Sequence, residues 1–297
     1  MSELQHLYGA HFGLSGRPFS PLADGREMHM GPDHLRAAAA VEFALVSGAP
    51  FAVLTGAPGS GKTSILLRMM EEVLADARVA LIDHIAPGGS TLEAILTAFE
   101  QPVPEGRGAC LTAVQDLLIA AYAEGSRTVL LIDESQELDV AALGELRLLS
   151  NINTARDQVL QVVLSGQPPL LDRLSAPELA GLAQRVGSWA RIGPLDPTAM
   201  GDYVAHRMHQ AGGPADLFAA DALEAVHLAT GGLPRPVNQL CELGLIFAMS
   251  AGSDRVGAAD IARAIEDGLF RPVPAAPAPR PSGNGAAVAH LRLASGA

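Results

Sequence analysis

Lysine is almost missing from this 297-residue chain: of its 20 lysines and arginines, Lys62 is the one lysine. A GC-rich coding bias accounts for arginine wherever a generic positive charge suffices. Lys62 therefore calls for a chemical reason, because a compact ammonium and a planar guanidinium are unequal in a tight site. Cysteine is nearly absent too. Cys110 and Cys241 are far apart and have no metal-ligand spacing, which excludes a disulfide framework and fits a reducing cytoplasm. No charge-free apolar run approaches the roughly 18 residues that span a membrane, and the N-terminus MSELQHLYGAHFG lacks a basic start followed by an apolar stretch, so neither an anchor nor a secretory signal is expected. Positive charge is scarce overall. The net charge is −12, with residues 195–270 carrying 4 arginines against 10 acids and residues 271–297 carrying 3 arginines and no acid. Residues 1–194 carry the remaining −9, so neither large segment, 1–194 or 195–270, is a basic slab, and composition does not favour nonspecific binding to nucleic-acid phosphates.

What is present is an alternation. Residues 1–33 read as an irregular linker, and an Ala-rich helix follows from about Pro32 to Ser47. Between Phe51 and Pro194, the apolar runs Phe51–Thr55, Val79–Asp83, Val129–Asp133 and Leu160–Ser165 read as buried strands. The stretches Thr63–Leu74, Thr91–Phe99, Leu111–Tyr122 and Ala141–Asn151 read as helices. Strand–helix alternation implies an α/β unit, a parallel sheet covered by helices, over residues 34–194. After Pro194 the strand signal stops. Asp196-Pro197 looks like an N-cap with proline at the first helical position, opening a helix to about Gln210. Further helices over Ala219–Thr230, Pro236–Ala251 and Ala258–Gly268 make residues 195–270 a small α-helical domain. Residues 271–297 are too rich in proline, alanine and glycine to build a core and read as a disordered tail.

The motif that explains the lysine is Gly56-Ala57-Pro58-Gly59-Ser60-Gly61-Lys62-Thr63, a full G-x-x-x-x-G-K-[ST] match between an apolar strand and a helix that continues through Ser64. Its glycines let successive N–H groups turn inward onto phosphate oxygens, and the new helix adds its positive end. Lys62 would reach the β- and γ-phosphates of ATP, and the Thr63 hydroxyl would hold Mg²⁺. Seventy residues after Thr63, the strand Val129–Ile132 ends in Asp133-Glu134. At the C-terminal end of a parallel strand, where ligands bind in such sheets, Asp133 would serve Mg²⁺ and Glu134 would polarise water. An adjacent glutamate favours hydrolysis over transfer to a small-molecule acceptor.

These motifs, with Ser165-Gly166-Gln167-Pro168 and Gly232-Leu233-Pro234-Arg235, resemble an AAA+ ATPase, a P-loop NTPase of the ASCE type followed by a helical lid. More narrowly, the chain resembles the ExeA-like (general secretion pathway protein A) family, which is related to the MuB- and TniB-type transposition ATPases. That narrower likeness covers roughly residues 4–270. It rests on Tyr8, His11-Phe12-Gly13-Leu14, Pro18-Phe19, His34, Gln184-Arg185-Val186, Tyr203 with Arg207, and the run from Gly232 to Asn238. The resemblance implies that Gln167, or else Ser165, is a sensor near the γ-phosphate. It implies that Arg185 is an arginine finger reaching a neighbouring subunit's nucleotide, and that Arg235 is a second sensor bringing the lid onto the phosphates. It also implies a homo-oligomer and a protein partner in membrane-associated secretion or envelope machinery, regulated or remodelled by nucleotide state. The MuB/TniB likeness carries a second reading, an ATP-dependent DNA-binding regulator, which the charge does not favour. Two departures stand out: the relatives continue into a transmembrane helix and a peptidoglycan-binding domain, and Ala199-Met200 replaces their usual Glu-Thr. His84 reads as a solvated loop residue, His29 and His34 lack partners at metal spacing, and Trp189 between Arg185 and Arg191 reads as packing at the domain junction.

Overall fold

The computed structural model describes residues 3–20, 29–86, 88–153 and 157–273; most of the expected tail lies outside them. Helix α1 (Glu3–Phe12) is followed by α2 (Pro32–Val46), β1 (Phe51–Gly56), α3 (Lys62–Glu72), β2 (Ala77–Ile82), α4 (Thr91–Ala98), α5 (Arg107–Ala123) and β3 (Arg127–Ile132). Next come α6 (Val140–Leu149), β4 (Leu160–Gly166), α7 (Pro169–Leu174), α8 (Ala180–Ala183) and β5 (Val186–Ile192). Four helices close the described chain: α9 (Pro197–Gln210), α10 (Ala220–Thr230), α11 (Pro234–Ser250) and α12 (Ala258–Glu266).

The five strands pair in parallel in the order β2-β3-β4-β1-β5. Because successive strand residues face opposite sides, the apolar runs split between two cores. Phe51, Val53, Leu130, Ile132, Val162 and Leu164 face one, under α4, α5 and α6. Ala52, Leu54, Val129, Leu131 and Val163 face the other, under α2 and α3. Inserting β4 between β1 and β3 matters for the site: the loop after β1, the acids after β3 and the polar residues ending β4 emerge side by side.

Three features differ from the sequence reading. A fifth strand, β5, lies on the edge beside β1. Its residues alternate between exposed and covered and include Gly187, Ser188 and Arg191, so it lacks the apolar run of a central strand. Trp189 sits on it 49% exposed and is not packed at a junction. The N-terminal segment is not irregular throughout: α1 is a helix, and Tyr8, Phe12 and Phe19 are buried in the core built by α9–α12. That packing joins residues more than 200 positions apart, as in the hydrogen bond from Tyr8 to Glu242.

The helical unit begins as its sequence signals. The Asp196 side chain accepts from Ala199 N–H, capping α9 just before Pro197. Gly231 and Gly232 both adopt positive φ, and a Cβ on Gly232 would lie 2.0 Å from Leu195 O. Only glycine fits so close an approach, and it sets where α11, and hence Arg235, begins.

Candidate functional site

The loop after β1 wraps round on glycines: Gly59 and Gly61 have φ of 74° and 95°. A Cβ on Gly59 would lie 2.6 Å from Arg235 Cβ, and Arg235 N–H donates to Gly59 O at 3.3 Å. The start of α11 is therefore seated on the loop itself. Lys62 opens α3 and is 5% exposed; its ammonium donates to Gly56 O (3.1 Å) and Ala57 O (3.2 Å). Burial lowers its pKa, opposed by the charges of Glu134 and Asp133.

Thr63 Oγ1 donates to Asp133 Oδ2, and Ser165 Oγ donates to Asp133 Oδ1 at 2.8 Å. Glu134 follows in the left-handed region at φ 45°. Its carboxylate accepts from the side-chain amides of Gln136 and, at 3.2 Å, Gln167. Gln136 also accepts from Gln167 N–H at 2.8 Å, so it bridges the ends of β3 and β4. The Gln136 hydrogen bond is the main cause that holds the Glu134 pKa below its ordinary value, with Gln167, Lys62 and Arg235 adding to it against partial burial. Ser165 and Gln167, alternatives in the sequence, thus serve different acids: Ser165 orients Asp133, and Gln167 orients Glu134.

Of these groups Thr63 and Glu134 open onto a cleft of about 730 Å³ between the loop and the helical unit. Gly59, Gly61, Lys62, Thr63, Ser64 and Glu134 line its inner end, and Arg235 enters from α11. Arg207 donates to Pro18 O and Ser20 O, strapping the N-terminal segment along the outer wall. His34, 2% exposed, uses Nε2 on Ser60 O (2.8 Å), which identifies that nitrogen as the donor and braces the loop from behind. Arg185 is not in the cleft. It stands just before β5, and its Nη1 donates to Ser150 Oγ at 3.0 Å. His84 is exposed on the loop after β2.

The residues fit a magnesium triphosphate. A glycine loop, a buried ammonium and a helix N-terminus supply positive potential for phosphates. One hydroxyl and one carboxylate are the sparse donors with which proteins hold Mg²⁺ alongside phosphate oxygens and water. Among the described residues no cluster of three or more histidines, cysteines and carboxylates forms a self-contained metal site. Sequence reading missed Gln136, which stands two residues past the acidic pair without any periodicity, and the pairing of Tyr8 and Arg17 with Glu242.

Residues 45–174 match the AAA domain family. The chain is 34% identical over 261 residues to general secretion pathway protein A of Aeromonas hydrophila, covering 87% of this chain and 48% of that protein. It thus spans about half the length of that curated relative. Among solved structures, Cdc6p from Pyrobaculum aerophilum superposes with a TM-score of 0.65 at 17% identity, over 84% of this chain and 70% of that one. The ORC2 protein of Aeropyrum pernix, in ADPNP–ADP complexes, gives a TM-score of 0.65 at 14% identity, over 84% of this chain and 71% of its own. At these identities the two structures speak for the P-loop fold.

Proposed function

Residues 45–174 of this chain are an AAA domain and the chain is a relative of general secretion pathway protein A; from that premise we propose that it binds ATP with Mg²⁺ and hydrolyses it. The observation that carries the reading is the meeting of Lys62, Thr63, Glu134 and Arg235 on one cleft, with Asp133 bonded to Thr63 and Gln167 bonded to Glu134. Residues 56–64 hold the phosphates through backbone N–H groups and Lys62. Thr63 and Asp133 would hold the cation, and its chemistry there would be to offset phosphate charge. Glu134, kept ionised by two amides, takes a proton from the attacking water. Arg235 stabilises charge developing on the transferred phosphoryl group and thereby links turnover to the position of the helical unit. The proposed units are residues 34–194 and 195–270.

Arg185 lies outside its own cleft, which fits a role in trans in a homo-oligomer, where assembly and turnover are coupled. The partner we propose is a protein of secretion or envelope machinery, on the strength of the relative's name alone, with the nucleotide-binding unit working in the cytoplasm. Among the described residues no helix is long and apolar enough to cross a membrane. One observation favours a second reading, DNA binding of the MuB or TniB kind: Trp189 is half-exposed on the edge strand, between Arg185 and exposed Arg191. A gel shift at moderate salt separates the readings, since duplex DNA retained only with ATP supports the second. Phosphate release from ATP tests the first. It should require Mg²⁺ and disappear in Lys62→Ala.

A further inference from the structure

The inner end of the cleft is occupied by phosphate chemistry, whereas its outer wall carries a group that this chemistry leaves unused. On α11, Arg235, Asn238, Gln239 and Glu242 recur at helical spacing and all line the cleft. Two turns separate Arg235 from Glu242, about 10 Å along the axis, which reaches from the terminal phosphate toward the base end of a bound nucleotide. Glu242 is 9% exposed. Its Oε1 accepts both the Tyr8 hydroxyl (2.8 Å) and Arg17 Nε (2.8 Å). Its Oε2 is buried and has no hydrogen-bond partner. Burial, with Glu242 beside it, raises the Tyr8 pKa, so the phenol stays protonated and donates to the carboxylate. A buried carboxylate oxygen without a donor is penalised, and here it belongs to a residue lining the cleft.

We propose that Glu242 selects the base: the entering base displaces the groups that cover Oε2, and this oxygen accepts a hydrogen from the exocyclic 6-amino group of adenine, so the cleft prefers ATP to triphosphates that carry oxygen at that position. The proposal rests on the reading of the inner end as a triphosphate site. A 6-oxo purine would set its carbonyl oxygen against the carboxylate, acceptor against acceptor. Guanine's own N1–H and 2-amino pair needs both oxygens of one carboxylate, and Oε1 is already held by two donors. The other buried unpartnered acceptor on the wall, His34 Nδ1, belongs to the ring that braces Ser60 at the phosphate end.

The test compares, by calorimetry on the full chain, ATP with purine riboside triphosphate, which has the same ring without the amine, and with inosine triphosphate, which has oxygen there. Wild-type protein should bind ATP about tenfold or more tightly than either, the value of one charge-assisted hydrogen bond. In Glu242→Gln the Tyr8 and Arg17 donors keep the amide oxygen, which turns the NH₂ toward the cleft. The ATP preference should vanish and the inosine nucleotide should gain. Equal binding of ATP and purine riboside triphosphate by wild-type protein overturns the proposal, whether or not the variant folds. Equal weakening of all three nucleotides in the variant also overturns it, because that is the mark of a clasp that merely holds the N-terminal segment on the helical unit. Lys62→Ala keeps the two readings apart. If it abolishes binding of all three while the amine makes no difference, the triphosphate site stands and Glu242 falls; if all three bind to it as to wild type, the triphosphate reading itself fails.

Discussion

The side-chain amide of Gln167 donates to the carboxylate of Glu134 across 3.2 Å, tying the end of β4 to the end of its neighbour β3. Gln136 donates to the same carboxylate and accepts from the Gln167 backbone, so three residues close a small ring. The ring fixes a glutamate whose backbone, at φ 45°, lies in a region that costs a non-glycine residue about 1–3 kcal/mol. Strain held in this way leaves the carboxylate little freedom to turn from the cleft.

The ring sets an acid limit. A carboxyl whose folded pKa is depressed keeps its charge, and the stability that goes with it, above the ordinary value and loses both as pH falls through the folded value. Glu134 belongs to this class. Gln136→Ala should therefore move its titration upward, toward the ordinary glutamate value of about 4.3. Turnover at neutral pH should fall on the order of tenfold, a fraction of what a general base supplies. Carboxyl-carbon NMR of Glu134 reads the first effect and a phosphate-release assay the second; an unmoved titration would count against the ring.

The approach of Gly232 to Leu195 should make that glycine intolerant of a side chain. Gly232→Ala combines φ 74° with a contact of 2.0 Å to backbone oxygen, whereas Gly252→Ala combines φ 67° with open space. The second substitution should cost about 1 kcal/mol, the first clearly more. Thermal melts should show a larger fall in Tm for Gly232→Ala, by about 5 °C or more. Similar melts for the two variants would contradict the packing argument.

Arg235 enters the cleft from α11, so Arg235→Ala should remove charge stabilisation while leaving the phosphate loop intact. Loss of one such group costs on the order of a hundredfold in kcat. KM should change much less, and a variant with raised KM and normal kcat would assign Arg235 to ground-state binding.

Arg185 makes its hydrogen bond to Ser150, outside the cleft, and subunit mixing tests whether it acts in trans. Arg185→Ala has a whole cleft and no finger; Lys62→Ala has a finger and no working cleft. Each should be inactive alone, and a mixture should recover part of the wild-type rate. A mixture as inactive as its components would exclude the trans role.

Sequence legibility tracked how local each feature is. The phosphate loop, the acidic pair and the Asp196 cap are each set by a few adjacent residues, and four of the strands announce themselves as apolar runs because both sheet faces are covered. Edge strand β5 was illegible because one side meets solvent and its residues are mixed. Helix α1 was obscured by its glycine and histidines, and it is buried in a core whose other members, such as Met208 and Leu245, lie far along the chain. Gln136 meets Gln167, and Glu242 meets Tyr8 and Arg17, only once the chain has folded.

The central claim, that Glu134 activates water for a nucleotide held by Lys62 and its loop, is tested most directly by Glu134→Gln, with ATP binding and phosphate release measured on the same preparation. ATP affinity should stay within a few-fold of wild type, while release falls a hundredfold or more. Phosphate release at the wild-type rate from the Glu134→Gln protein would contradict the account.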